Sequence, residues 1–65
     1  MDTAPTVRRL RESRGLTQKA LASAAGINIT QVQRLESGEA KPANLTLKNA
    51  LALAAALGVE PKDLI

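Results

Sequence analysis

The sequence predicts an all-α protein, a compact bundle of four to five helices, and three observations point there. Short apolar-periodic runs are opened by Thr or Asn and closed by glycines at positions 15, 26, 38 and 58, the punctuation of successive helices. The chain has no Phe, Tyr or Trp, so its core must be built from Leu, Ile, Val and Ala, which suits helices better than a β-sandwich. Sixty-five residues make one domain, 1–65, whose thin core buries only about 60% of the surface the unfolded chain exposes.

The first helix starts at Pro5 or Thr6, carries Val7 and Leu10 on one face among Arg8, Arg9, Arg11 and Arg14, and stops at Gly15. Leu16 follows as an apolar anchor. Thr17 caps a second helix, Gln18 to Ala25, with Leu21 and Ala25 on its inner face; Gly26 ends it. Asn28 caps a third, with Gln31 in capping-box register, running from Ile29 to Glu36 or Ser37. Its inward pair is Val32 and Leu35, which leaves Ile29, Thr30, Gln33 and Arg34 pointing elsewhere. After a polar loop containing Pro42, Asn44 or Thr46 caps a longer fourth helix that ends near Leu57. Glu60-Pro61 starts a terminal turn with Leu64 and Ile65.

Composition excludes several classes of function. Without cysteine there is no disulfide or thiolate metal ligand, and without histidine a zinc site would need carboxylates alone. No metal, cofactor or small-molecule ligand is expected. The serines lack a base partner and the six acidic residues form no catalytic pair, so the chain does not read as an enzyme. Nine basic residues give a net charge of +3, consistent with a polyanionic partner. The missing aromatics remove the stacking platforms of single-strand binders, which favours double-stranded DNA over RNA. Lys48 and Asn49 interrupt the longest apolar run, and the N-terminus lacks a signal-peptide core, so the expected location is cytoplasmic with no membrane contact.

The informative spacing is that of helices two and three, joined by Ala25-Gly26-Ile27-Asn28. A three- to four-residue turn holding Gly between two short helices is the helix-turn-helix signature, here spanning about 17–37. The run from Leu10 through Gly15-Leu16-Thr17-Gln18 to Ala22 resembles the opening of the Cro/C1-type (XRE-like) helix-turn-helix family. The turn 25–28, then Val32 and Leu35-Glu36-Ser37-Gly38, resembles its second half, and Ala54 to Val59 its closing helix. The resemblance covers roughly residues 7–65 and implies a lambda-repressor-like DNA-binding domain.

The same resemblance implies roles. Ile29, Thr30 and Arg34 fall where such proteins reach base edges, with Asn28 and Gln33 at the margins. Gln18, flanked by Thr17 and Lys19, would grip a phosphate, and Ser37, Lys41 and Asn44 would hold the backbone beyond the third helix. Arg11 and Glu36 match an internal ion pair. Where the family often has a polar reader this chain has Ile29, an apolar side chain suited to a thymine methyl.

The fourth helix is more apolar than one core face requires: Leu45, Leu47, Leu51, Leu53 and Leu57 with five alanines cover more than half its circumference. Either these leucines simply fill a thin core, or Leu53, Leu57, Val59, Leu64 and Ile65 form a dimer face. A homodimer would present two recognition helices about 34 Å apart, one DNA turn. The expected function is sequence-specific duplex binding that regulates transcription, as a dimeric repressor on a pseudo-palindromic operator. Two alternatives stand beside it. One is an antitoxin-like module using the fourth helix and C-terminus for a protein partner; the other is the DNA-binding fragment of a larger regulator.

Overall fold

The computed structural model describes residues 6–64, apart from the side chain of Pro42; Pro5 and Ile65, named above, lie outside the described residues. Helix α1 spans Thr6–Ser13, α2 Gln18–Ala25, α3 Ile29–Ser37 and α4 Leu47–Leu57, with single 3-10 turns at Pro42–Asn44 and Pro61–Leu64. Local chemistry sets these limits. Thr17 Oγ1 accepts from Ala20 N at 3.0 Å, and Thr46 Oγ1 from Asn49 N at 3.2 Å, each satisfying a donor that a helix start leaves unpaired. Thr46, not Asn44, is therefore the cap of α4.

Asn28 departs from the capping-box expectation. Its Oδ1 accepts from Thr30 N at 2.8 Å, the second residue of α3. Gln31 N instead bonds the Asn28 carbonyl at 3.0 Å. With the Asn28 side chain on Thr30 N and the Asn28 carbonyl on Gln31 N, no reciprocal Gln31 side-chain bond is made among the described residues.

Helices α1, α2 and α4 end alike. The residue after the terminal glycine sends its N–H to the carbonyl five residues back: Leu16 to Arg11 at 3.1 Å, Ile27 to Ala22 at 3.0 Å and Val59 to Ala54 at 3.0 Å. Each of these apolar residues is half-buried against the core. At Gly26 the reversal needs φ 67°, a left-handed conformation that a side chain would strain. The turn then aims α3 across α2.

α2 packs on both α3 and α4, while α1 packs on α3 and the last turn on α4. The core they enclose is Val7, Leu21, Ala22, Ala25, Val32, Leu35, Leu53, Ala54, Leu57 and Leu64. This corrects the candidate dimer face. Leu53 and Leu57 are 0% exposed and Leu64 3%, so they hold the monomer together and cannot meet a partner. A small chain without aromatics needs every leucine of one α4 stripe to fill its interior. Val59 is half-buried against the same core. The apolar surface that remains open on α4 is Leu47, 74% exposed, and Leu51, 50% exposed, one turn apart. No helix among the described residues is long and apolar enough to cross a membrane.

Candidate nucleic-acid interface

With Val32, Leu35 and Glu36 turned inward, α3 presents the opposite face to solvent. Ile29, Thr30, Gln33, Arg34 and Ser37 are all exposed. Thr30, Gln33, Arg34 and Ser37 stand at i, i+3, i+4 and i+7, one continuous polar stripe. Ile29, 37% exposed, is its apolar N-terminal edge. Asn28 is exposed beside them, but its carbonyl oxygen is engaged as the helix cap.

An open cleft of about 310 Å³ flanks this stripe on the α1–α2 side, lined by Arg8, Arg11, Gln18, Gln33, Glu36 and Ser37. Its floor is an ion pair. Arg11 Nε donates to Glu36 Oε2 at 2.7 Å and Arg11 Nη2 to Glu36 Oε1 at 2.9 Å, a two-pronged contact. Arg11 Nη1 also donates to the Leu16 carbonyl at 2.8 Å, tying the end of α1 to the turn before α2. Gln18 Nε2 donates to Glu36 Oε1 at 3.2 Å, so the Gln18 side chain is held at the mouth of the cleft.

Burial pushes the Glu36 carboxyl up. The hydrogen bonds from Arg11 and Gln18, with the charges of Arg11 and Arg8, outweigh it and hold the group below the ordinary carboxylate range. Donating to Glu36 in turn raises Arg11 against its own desolvation. Both groups are therefore charged at neutral pH.

Gln18 is also the first residue of α2, where backbone N–H groups face out of the helix. Ala20 N is taken by Thr17 Oγ1 and Leu21 N by the Thr17 carbonyl. Thr17 thus acts as a cap, while the N–H groups of Gln18 and Lys19 have no protein acceptor among the described residues. Lys19 is exposed next to them.

A smaller cleft of about 180 Å³ lies on the other side of α3, where Arg34 and Gln31 meet Lys41 and Asn44. The structure thus places Gln18, Thr17 and Lys19 on one flank of the stripe and Lys41 and Asn44 on the other. Ser37 sits at the α3 end of the first cleft, its Oγ donating to the Arg34 carbonyl at 3.1 Å.

Two residues outside the sequence-based set belong to this surface. Arg8 lines the first cleft and loosely pairs with Glu12 at 3.6 Å. Its position one turn before Arg11 was the available signal. Glu39 reaches Arg34, with Nε and Oε2 3.0 Å apart. No periodicity announces it, because the contact depends on how the chain leaves α3.

The helix-turn-helix family model matches residues 7–64. No curated protein matches the chain. Among solved structures it is similar to the restriction-modification controller protein C.AhdI from Aeromonas hydrophila. The two are 38% identical with a TM-score of 0.79, over 92% of this chain and 86% of that one.

Proposed function

The chain belongs to the helix-turn-helix family, and on that premise we propose that it binds a specific duplex sequence as a dimer and represses transcription there. The observation that carries the reading is the isolated polar stripe of α3, exposed between two basic flanks. A helix of this kind fits the B-DNA major groove, and phosphate contacts on either side fix its depth and register.

In this reading Arg34 donates to a guanine edge, Ile29 meets a thymine methyl, and Thr30, Gln33 and Asn28 fill the remaining base contacts. Gln18 and the free N–H groups at the start of α2 hold one phosphate. Lys19 and Arg8 add charge on that flank; Ser37, Lys41 and Asn44 serve the groove's edges. Arg11 and Glu36 touch no DNA and hold Gln18 in place. Likeness to a restriction-modification controller extends the proposal: the genes regulated include those of such a system.

The dimer is supported by Leu47 and Leu51, which give α4 an apolar outer ridge. A dimer through this ridge would have to set its two α3 helices about one DNA turn apart. Repression is the proposed outcome, since a protein seated on an operator occludes polymerase.

Selection of bound sites from random duplex, followed by anisotropy titration against salt, tests the reading. The expected result is a two-fold symmetric site and a log–log slope near −0.9 for each phosphate neutralised. Arg34→Ala should relax discrimination at one base pair, by the roughly 1–3 kcal/mol of a bidentate contact. Gln18→Ala should weaken every duplex alike. Enrichment no better than random sequence at modest salt refutes the proposal.

A further inference from the structure

We propose that Glu39 is a positioning residue for Arg34 and sets how strongly this chain prefers its own site over random duplex; this rests on the reading of Arg34 as a base contact. The argument begins with the end of α3. After α1, α2 and α4 the residue following the terminal glycine is apolar and plugs the core. After α3 that residue is Glu39, exposed, and the hydrogen bonds there are different. Glu39 N donates to Ser37 Oγ at 3.3 Å, Ser37 Oγ donates to the Arg34 carbonyl at 3.1 Å, and Ala40 N reaches that same carbonyl at 3.0 Å.

The backbone on both sides of Glu39 is thus fastened to Arg34 itself, and the Glu39 carboxylate is delivered 3.0 Å from Arg34 Nε. Two exposed, freely moving side chains gain little from pairing because each loses rotamer freedom. Here one partner's backbone is already held. The closest approach of the two charged groups is at Nε.

A carboxylate beside a DNA-reading helix repels phosphates, so it lowers affinity for duplex in general. Its value lies in discrimination. Held by Glu39, the Arg34 charge is partly neutralised and is not free to swing onto a nearby phosphate. Its terminal amino groups still offer two donors to a guanine edge. Random sequence therefore loses a phosphate contact that the proper site does not need. Specificity arises as that difference.

Glu39→Gln, Arg34→Ala and the double variant of the full chain test this, titrated by anisotropy on the selected duplex and a random one at several salt concentrations. In Glu39→Gln the affinity for random duplex should rise about two- to fivefold, the size of an exposed ion pair. Its salt slope should steepen by about 0.9, one further phosphate. Affinity for the selected duplex should rise by less, so the selected-to-random ratio should fall. In the Arg34→Ala background Glu39→Gln should leave that ratio unchanged, because there is no guanidinium left to position. If Glu39→Gln leaves the ratio unchanged in the wild-type background, Glu39 acts by plain repulsion and the proposal is overturned, while the reading of Arg34 stands. If Arg34→Ala itself leaves discrimination intact, the reading of Arg34 fails and this proposal with it.

Discussion

Removing Arg11 tests whether the ion pair beneath the interface holds the fold as well as the site. The side chains of Arg11 and Glu36 are 13% and 5% exposed. In Arg11→Ala the Glu36 carboxylate loses contacts of 2.7 and 2.9 Å and keeps only Gln18, at 3.2 Å. The Leu16 carbonyl loses its 2.8 Å donor as well. Breaking a buried pair from one side costs about 3–5 kcal/mol, because it strands a charge. A chain of 65 residues has about 3–10 kcal/mol in total, so the variant should stand near its unfolding midpoint at 25 °C. The absence of aromatics removes fluorescence as a probe, and urea unfolding must be followed by circular dichroism at 222 nm. With a slope of about 1 kcal/mol per molar urea, the midpoint should fall by about 3–5 M. Arg11→Met combined with Glu36→Leu should return to within about 1 kcal/mol of wild type, since two apolar side chains leave no charge unpaired. A loss below about 1 kcal/mol in Arg11→Ala, with unchanged slope, would show the pair to be solvated and refute the buried-network account.

The acid limb of stability should belong in large part to Glu36. Its folded pKa lies below the unfolded value of about 4.3. The stabilisation is therefore complete above that value and lost as pH falls through the folded pKa. Thermal unfolding from pH 7 to 2.5 should show a decline beginning near pH 4 that Glu36→Gln flattens; an unaltered decline assigns it elsewhere. Leu53→Ala should cost about 2–4 kcal/mol as a core cavity, whereas Leu51→Glu should stay within about 0.5 kcal/mol for the monomer and abolish self-association in sedimentation equilibrium. Dimers persisting in Leu51→Glu rule out the α4 ridge. Gly58→Ala and Gly26→Ala should lower the melting temperature by similar amounts. Both positions have φ near 70°, and the guanidinium of Arg14 that a Cβ at 58 would meet at 2.7 Å is the free end of an exposed side chain that can move aside. The left-handed backbone costs about 1–2 kcal/mol at each, and a much larger loss at 58 would show that the Arg14 contact cannot give way.

The helices were legible because their limits are local. Thr17 and Thr46 each satisfy a donor within three residues, and Gly26 reverses the chain by its own backbone freedom. The buried face of α3 was legible too, because only Val32 and Leu35 are apolar and correctly spaced. On α4 the same reasoning has nothing to choose with. Leucines and alanines occupy most of its circumference, so periodicity fits several faces. The choice between Leu53/Leu57 and Leu47/Leu51 is made by where α2 lies. Tertiary packing, not sequence pattern, carries that information. The partners of Glu36 were likewise beyond spacing: Arg11 lies 25 residues away and entered only through family resemblance.

Glu36 and Glu39, three residues apart around the end of α3, would on the proposed reading separate a determinant of folding from one of specificity. Glu36 faces inward, is bonded by Arg11 and Gln18, and holds the Gln18 side chain at the start of α2. Its loss would be felt as unfolding and as a weaker grip on every duplex alike. Glu39 faces outward, has a side chain 68% exposed, and pairs with an Arg34 side chain that is 60% exposed. A pair so exposed contributes little to stability, so Glu39 can change without endangering the fold. On the reading proposed above, the α3 face can acquire a new target through Ile29, Thr30, Gln33, Arg34 and Glu39, while Arg11 and Glu36 keep the helix where it is. A combined variant on that face should retain the wild-type urea midpoint while selecting a different site. A large loss of stability would mean that the outer face and the buried pair are coupled after all.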